Sequence, residues 1–353
     1  MSDHPVRILL LYTGGTIGMV MDMENESLIP FDFQYLLEKI PEIRQLDCHI
    51  DTDSLDRPID SSNIKPEHWL RLARRIEQDY TQYDGFVILH GSDTMAYTAS
   101  ALSFLLKNLH KPVILTGSQL PIGVARSDAR ENLLTTIEIA MARRKDGLAM
   151  VPEVCVYFEY DLFRGNRVHK MSTEDFEAFN SMNYPKLAEA GVNIKFNNNY
   201  ILNPPKEALK LGPAISTEVG VLTVFPGITQ EFVKAVFSAP MKGLIIRSFG
   251  AGNIPMDPWL IEAIQEVMNK GIYVVDVSQC VGGGVALGKY EASKALKHMG
   301  VISAVDMTFE AALTKLMYLL PFGFGYDDFK KYYESDLRGE LTGAQAGKAL
   351  GLA

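Results

Sequence analysis

Apolar residues fall along this chain in short unbroken runs separated by longer stretches of helical periodicity. Residues 6–12 (VRILLLY) are continuously apolar and end on Thr13, Gly14 and Gly15, the pattern of a strand buried on both faces that runs into a tight turn. The runs 85–90 (GFVILH), 112–116 (PVILT) and 153–158 (EVCVYF) read the same way. Between them, 66–80, 94–109 and 127–144 carry apolar residues at helical spacing, and Pro66 suits a first helical turn. Strand alternating with helix predicts an α/β protein with a parallel, doubly wound sheet.

The segment 197–217 contains NNNY, NPP and GP, lacks periodicity and reads as an interdomain linker. Alternation then resumes, with strands predicted at 220–225, 243–247 and 272–277 and helices at 229–238, 257–270, 290–299 and 308–320. The expected organisation is an N-terminal catalytic domain over 1–196, a linker over 197–217 and a smaller C-terminal α/β domain over 218–353. Two domains also suit 353 residues, a length at which one core stops growing.

Composition narrows the function classes. Apolar residues make up 47% and charged residues 22%, an ordinary globular balance. A net charge of −9 argues against a nucleic-acid partner, which needs a basic footprint. Cys48, Cys155 and Cys280 are odd in number and widely spaced, which disfavours a disulfide framework or structural zinc. The polar start 1–7 and the absence of a run of about 18 apolar residues predict neither a secretory signal nor a membrane span, so the expected location is cytoplasmic.

Ligands of open α/β sheets bind beyond the carboxyl ends of the strands, and the chemically interesting residues lie just there. After the first strand comes Thr13-Gly14-Gly15-Thr16-Ile17-Gly18. Its glycines stand at 14, 15 and 18, which is not a dinucleotide fingerprint, and no P-loop occurs in the chain. After the second come His90, Gly91, Ser92, Asp93 and Thr94; a helix N-cap explains one of the last three but not their clustering. His90 closes an apolar run and reads as a packed strand residue. After the third comes 116–121 (TGSQLP), and before the Pro66 helix the polar loop Asp60-Ser61-Ser62-Asn63, each weak alone. The run 164–170 (RGNRVHK) would by itself be a solvated basic surface, although it follows the strand at 153–158. Together Thr16, Ser61, Ser92, Asp93 and Lys170 offer hydroxyls, a carboxylate and an amine at one sheet edge, the ingredients of nucleophilic catalysis with a lysine as base. G-x-S-x-G and H-E-x-x-H are missing, which disfavours a serine hydrolase of that type and metal hydrolysis.

These motifs, in this order, resemble the bacterial-type L-asparaginase family, most closely its cytoplasmic type I branch. The resemblance is carried by YTGGTIG (12–18), DSS (60–62), DGFVILHGSDTMAYTASALSFLL (84–106), TGSQLP (116–121), FRGNR with Lys170, RSFGAGNIP (247–255) and TKLMYLL (314–320), and spans nearly the whole chain. It implies a larger N-terminal flavodoxin-like parallel-sheet domain, a smaller C-terminal α/β domain, and a homo-oligomer, either a dimer or a dimer of dimers. It also implies hydrolysis of free L-asparagine to L-aspartate and ammonia, with no cofactor and no metal. By the resemblance Thr16 is the nucleophile and Ser92 with Lys170 the second hydroxyl–lysine pair. Asp93 binds the α-ammonium, Ser61 the α-carboxylate with the backbone of Ser62 nearby, and Ser118 faces the leaving amide through its backbone. Asn253 comes from a neighbouring subunit.

Three departures stand out. The family usually has threonine at Ser92, whose loss of the β-branch predicts retained activity with looser positioning. Many relatives have a lid tyrosine before Ile-Pro where this chain has Leu28, so activation of the nucleophile needs another donor, and Tyr12 is no automatic substitute; 18–28 still reads as a lid. Some type I members have a second, allosteric asparagine site matched here by Arg247 and Cys280, but His169 replaces its threonine, which predicts weak or absent cooperativity. The alternatives are a glutaminase-leaning amidase or glutamyl-tRNA amidotransferase subunit on the same scaffold, or a non-catalytic amino-acid sensor.

Overall fold

The computed structural model describes residues 5–22, 27–30, 40–54 and 58–342, and the chain divides into two compact units, one up to Leu211 and one from Gly212. In the first unit an eight-stranded sheet is built from β1 (Val6–Tyr12), β2 (Cys48–Ser54), β3 (Gly85–Leu89), β4 (Val113–Thr116), β5 (Val154–Phe158), β6 (Asp161–Arg164), β7 (Ala188–Glu189) and β8 (Lys195–Phe196). Its spatial order is β8-β7-β6-β5-β4-β3-β1-β2. Strands β1 to β5 run parallel, and β6 to β8 are added antiparallel at one edge.

The order β2-β1-β3-β4-β5 is the flavodoxin-like one, with a reversal of winding between β1 and β3. The expected parallel α/β domain is therefore what the chain forms. Among the described residues its α-helices are α1 (Pro66–Asp79), α2 (Met95–Leu105) and α3 (Ala129–Met141). Along α3, Ala129, Leu133, Ile137 and Ala140 pack on Ile8, Leu10, Val87, Leu89 and Ile114 of the sheet. Helices α1 and α2 pack on one another, and the buried alternates Leu9, Leu11, Phe86 and Ile88 fill the other face. With every strand residue from Ile8 to Tyr12 and from Gly85 to Leu89 buried, β1 and β3 are central and their carboxyl ends are fixed in position.

The second unit carries a parallel four-stranded sheet of β9 (Val219–Thr223), β10 (Gly243–Ser248), β11 (Tyr273–Ser278) and β12 (Ile302–Ser303). Helices α4 (Gln230–Phe237), α5 (Pro258–Asn269), α6 (Glu291–Met299), α7 (Phe309–Leu319) and α8 (Tyr326–Tyr333) accompany it. The boundary at Leu211 lies inside the segment 197–217, and Lys210–Leu211 is itself a short strand paired with Leu106–Lys107 of the first unit. Among the described residues no helix is long and apolar enough to cross a membrane.

Candidate active site

Four loops leave the carboxyl edge of the sheet around the β1–β3 reversal, and backbone bonds lock them together. Thr13 N–H donates to Leu89 O at 3.0 Å, so the turn after β1 starts against the end of β3. Ile59 N–H donates to Thr13 O at 2.8 Å, which draws in the loop after β2. His90 N–H donates to Thr116 O at 2.8 Å, which adds the loop after β4.

Two glycines allow a closer approach than side chains would. A Cβ on Gly15, whose φ is +95°, would stand 2.5 Å from Gly91 Cα. A Cβ on Gly91 would stand 2.6 Å from Ser61 Oγ. Both distances are below van der Waals contact, so the TGGT, HGSD and DSS motifs meet because glycine occupies these positions. Thr16, one residue beyond Gly15, begins a short 3₁₀ turn and is half-buried. Tyr12 supports that turn from beneath: its ring is buried, its hydroxyl donates to Gly18 O at 3.1 Å, and burial pushes its pKa up to about 12.

Ser92, Asp93 and Thr94 form a 3₁₀ turn leading into α2. None of them caps that helix through its side chain. Their side chains serve other contacts. Lys170 Nζ donates to Ser92 Oγ at 2.8 Å and to Asp93 Oδ1 at 2.6 Å. Thr94 Oγ1 donates to Ser61 O at 2.7 Å and so ties the DSS loop to this turn. Lys170 does not arrive straight from β5, because β6 intervenes. The chain passes Gly165, whose carbonyl accepts from Ser100 Oγ in α2 at 3.4 Å, and returns along α2 to Ser92. Lys170 then lies in a two-residue ladder, His169–Lys170 against Phe179–Asn180. The lysine is largely enclosed, while the Asp93 carboxylate that it bonds through Oδ1 is 64% exposed.

Around this centre Ser61 and Ser118 are buried and Ser62 is exposed. Asp60 Oδ1 accepts from both the backbone N–H and the hydroxyl of Ser62 at 2.9 Å, which shapes the DSS turn. Ser118 Oγ donates to Leu120 O at 2.6 Å, so its hydroxyl proton is used within the loop. His90 is a packed residue as its place in the sequence suggests: fully buried, joined through Nδ1 to Gly91 O at 2.7 Å and through Nε2 to Thr98 Oγ1 at 2.9 Å. Trp69 Nε1 donates to the same threonine at 3.0 Å, so a buried chain of polar groups backs the HGSD turn.

Gln119 is a site residue that the sequence reading left without a role. Its Oε1 accepts from Ser92 Oγ at 3.4 Å and its Nε2 donates to Asp175 O at 3.0 Å. Nothing in the linear motif separates it from an ordinary loop glutamine; only the fold sets it against Ser92.

The remaining candidates lie on other segments of the chain. Of the predicted lid, Met19–Asp22 pairs with Ser27–Pro30, placing Met21 opposite Leu28, and residues 23–26 lie outside the described residues. Asn253, in the second unit, closes a turn after β10 by donating its N–H to Phe249 O at 2.9 Å. Arg247 and Cys280 also belong to the second unit: the guanidinium lies 4.6 Å over the Phe309 ring, and the thiol is exposed just past β11. His169 stays with the first unit beside Lys170. Among the described residues no group of His, Cys, Asp and Glu is arranged to hold a metal ion.

Known proteins match this arrangement over nearly its full length. A family model described as asparaginase, N-terminal, matches residues 7–202, and one described as glutaminase/asparaginase C-terminal domain matches residues 218–333. L-asparaginase 1 of Escherichia coli K12 is 42% identical over 336 residues, covering 95% of this chain and 98% of that protein. The crystal structure of L-asparaginase I from Vibrio cholerae superposes with a TM-score of 0.87 at 39% identity, covering 96% of this chain and all (100%) of that one. The thermostable L-asparaginase from Thermococcus kodakarensis gives the same TM-score, 0.87, at 34% identity and the same coverage, 96% and 100%. With both domain models matched in order and the reversal-point loops carrying the shared motifs, this chain belongs to the asparaginase family.

Proposed function

We propose that the chain hydrolyses the side-chain amide of free L-asparagine, giving L-aspartate and ammonia through an ester on Thr16. The observation that carries this reading is the enclosed Lys170 amine bridging Ser92 Oγ and Asp93 Oδ1, on a turn whose backbone touches the turn that presents Thr16. In this reading Asp93 receives the substrate α-ammonium, and Ser61 with the Ser62 backbone receives the α-carboxylate. Asn253 of a neighbouring copy completes the pocket.

Thr16 Oγ attacks the amide carbon and its proton leaves through the hydroxyl–lysine network. Backbone N–H groups of the glycine turns hold the developing oxyanion, a contribution of roughly 100–1,000-fold for one such donor. The C–N bond breaks as the leaving nitrogen takes up a proton, so ammonia departs and a β-aspartyl ester remains. Water, deprotonated at the Ser92–Lys170 pair, attacks the ester, aspartate leaves and Thr16 regains its proton. A homo-oligomer in the cytoplasm, a dimer or dimer of dimers, is part of the same proposal.

The test is ammonia release. Wild type is expected to release it from L-asparagine and to prefer asparagine over glutamine by about 10–200-fold in kcat/KM, the range that one methylene commands. Thr16→Ala should lower kcat roughly 1,000-fold or more, since loss of a nucleophile removes the covalent route. Ammonia release at the wild-type rate by Thr16→Ala would overturn the assignment.

A further inference from the structure

Asp128 and Asn132 are buried polar residues, 6% and 0% exposed, on the face of α3 nearest the site, and the chemistry above gives them no task. Their bonds all lead to one loop. Asp128 Oδ1 accepts from the N–H groups of Gln119 and Leu120, each at 3.1 Å. Oδ2 accepts from Gln119 N–H at 2.9 Å and from Asn132 Nδ2 at 3.1 Å. Asn132 Nδ2 also donates to Gly117 O at 3.0 Å, and its Oδ1 accepts from Glu159 N–H at 3.0 Å, just past β5. Residues 117, 119 and 120 are thereby tied to a helix that is itself packed on β1, β3 and β4.

An Asp just before a helix is ordinarily a cap, and here it is not one. The Asp128 side chain accepts no bond from an α3 backbone N–H; Ser127 Oγ takes the Ala129 N–H at 3.1 Å instead. The carboxyl reaches backward to the loop. A buried carboxylate is costly unless several donors converge on it, and three distinct N–H groups do. The loop so held carries Ser118 between two tied residues, and Gln119, whose side chain ends on Ser92 Oγ.

We propose that Asp128, together with Asn132, is a positioning residue for the amide-hydrolysing reaction, setting the Ser118 backbone and the Gln119 side chain against the Ser92–Lys170 pair. This rests on the function proposed above. Asp128→Asn keeps the size of the side chain but turns an NH₂ toward N–H donors, so the bracket opens. Displacement of a positioned group by about 1 Å costs roughly 100-fold in rate. Because Asp93 and Ser61 lie on other loops, substrate binding is kept: kcat should fall about 10–100-fold while KM stays within about 3-fold. Hydrogen exchange at the Gln119 and Leu120 amides should quicken, with the amides of β1 and β3 as protected controls. Should Asp128→Asn fail to fold, Asn132→Ala removes the ties to Gly117, Glu159 and Asp128 Oδ2 but leaves the Gln119 and Leu120 amides on Asp128, and a kcat loss of about 10-fold at unchanged KM is expected from it.

A kcat within 2-fold of wild type in the variant that folds, or unchanged exchange at those two amides in Asp128→Asn, overturns the proposal. The exchange measurement needs no substrate. A wild type silent on asparagine would therefore sink the proposed function while the exchange comparison still decides the bracket.

Discussion

Asp276 sits fully enclosed in β11, beside the Ser248 hydroxyl and against Gly252, and burial pushes its carboxyl up to about 7 from an ordinary 3.8. Between those values the native state keeps a proton that the unfolded chain has released. The stability tied to that proton is complete below the unfolded value and disappears as pH rises through about 7. His90 acts in the opposite sense: burial brings it down to about 4 from 6.5, so its neutral form stabilises the fold above 6.5 and that contribution is lost as pH falls through about 4. Asp276→Asn removes the first effect and leaves the second. In urea unfolding at pH 5 and pH 8, wild type is expected to lose about 3 kcal/mol more across the interval than Asp276→Asn. Equal losses in the two proteins would show that Asp276 ionises normally. At Ser92 the question is geometric: lacking the β-branch of threonine, the serine hydroxyl is held instead by Lys170 at 2.8 Å and Gln119 at 3.4 Å.

The turns at the carboxyl edge, which the proposed function makes the reacting elements, are set by space. Gly91 has φ −68° and ψ 141°, which any residue adopts, so glycine is required there only because Ser61 and Gly15 press against its Cα. Gly91→Ala must push those two turns apart, an overpacking cost of about 1–3 kcal/mol. If the turns carry the reacting groups, even a small separation lowers kcat/KM on L-asparagine by roughly 100-fold. Steady-state kinetics alongside thermal unfolding separate the two effects. Activity retained in full by a stable Gly91→Ala would mean that the contact between the motifs is incidental.

For the molecule as a whole, the residues by which the family resemblance implies a second asparagine site belong to different units, His169 to the first and Arg247 and Cys280 to the second. The Arg247 guanidinium lies 4.6 Å over the Phe309 ring, and position 169 carries an imidazole where the resemblance implies a threonine. We therefore expect a hyperbolic dependence of velocity on L-asparagine. A sigmoidal curve that Arg247→Ala makes hyperbolic would establish that the second site operates despite His169.

The central strands and the helices between them were legible from the order of residues alone, because a strand covered on both faces must be apolar throughout and a half-covered helix must be apolar every third or fourth residue. Glycine and hydroxyl residues at strand ends marked the reactive edge for the same local reason. What escaped was set by neighbours. The edge strand β2 (CHIDTDS) is covered on one side only and alternates like a polar segment, β6 to β8 and β12 are four residues or fewer, and α8 follows a glycine-rich stretch that hides its start. Gln119, Asp128 and Asn132 are ordinary polar letters until the β4 loop folds back onto α3. Lys170 sits 78 positions from Ser92 and reaches it only because the chain beyond β6 returns along α2. Periodicity records how deeply each residue is buried, but which polar groups meet depends on chain crossings, and those come into being only when the sheet is assembled.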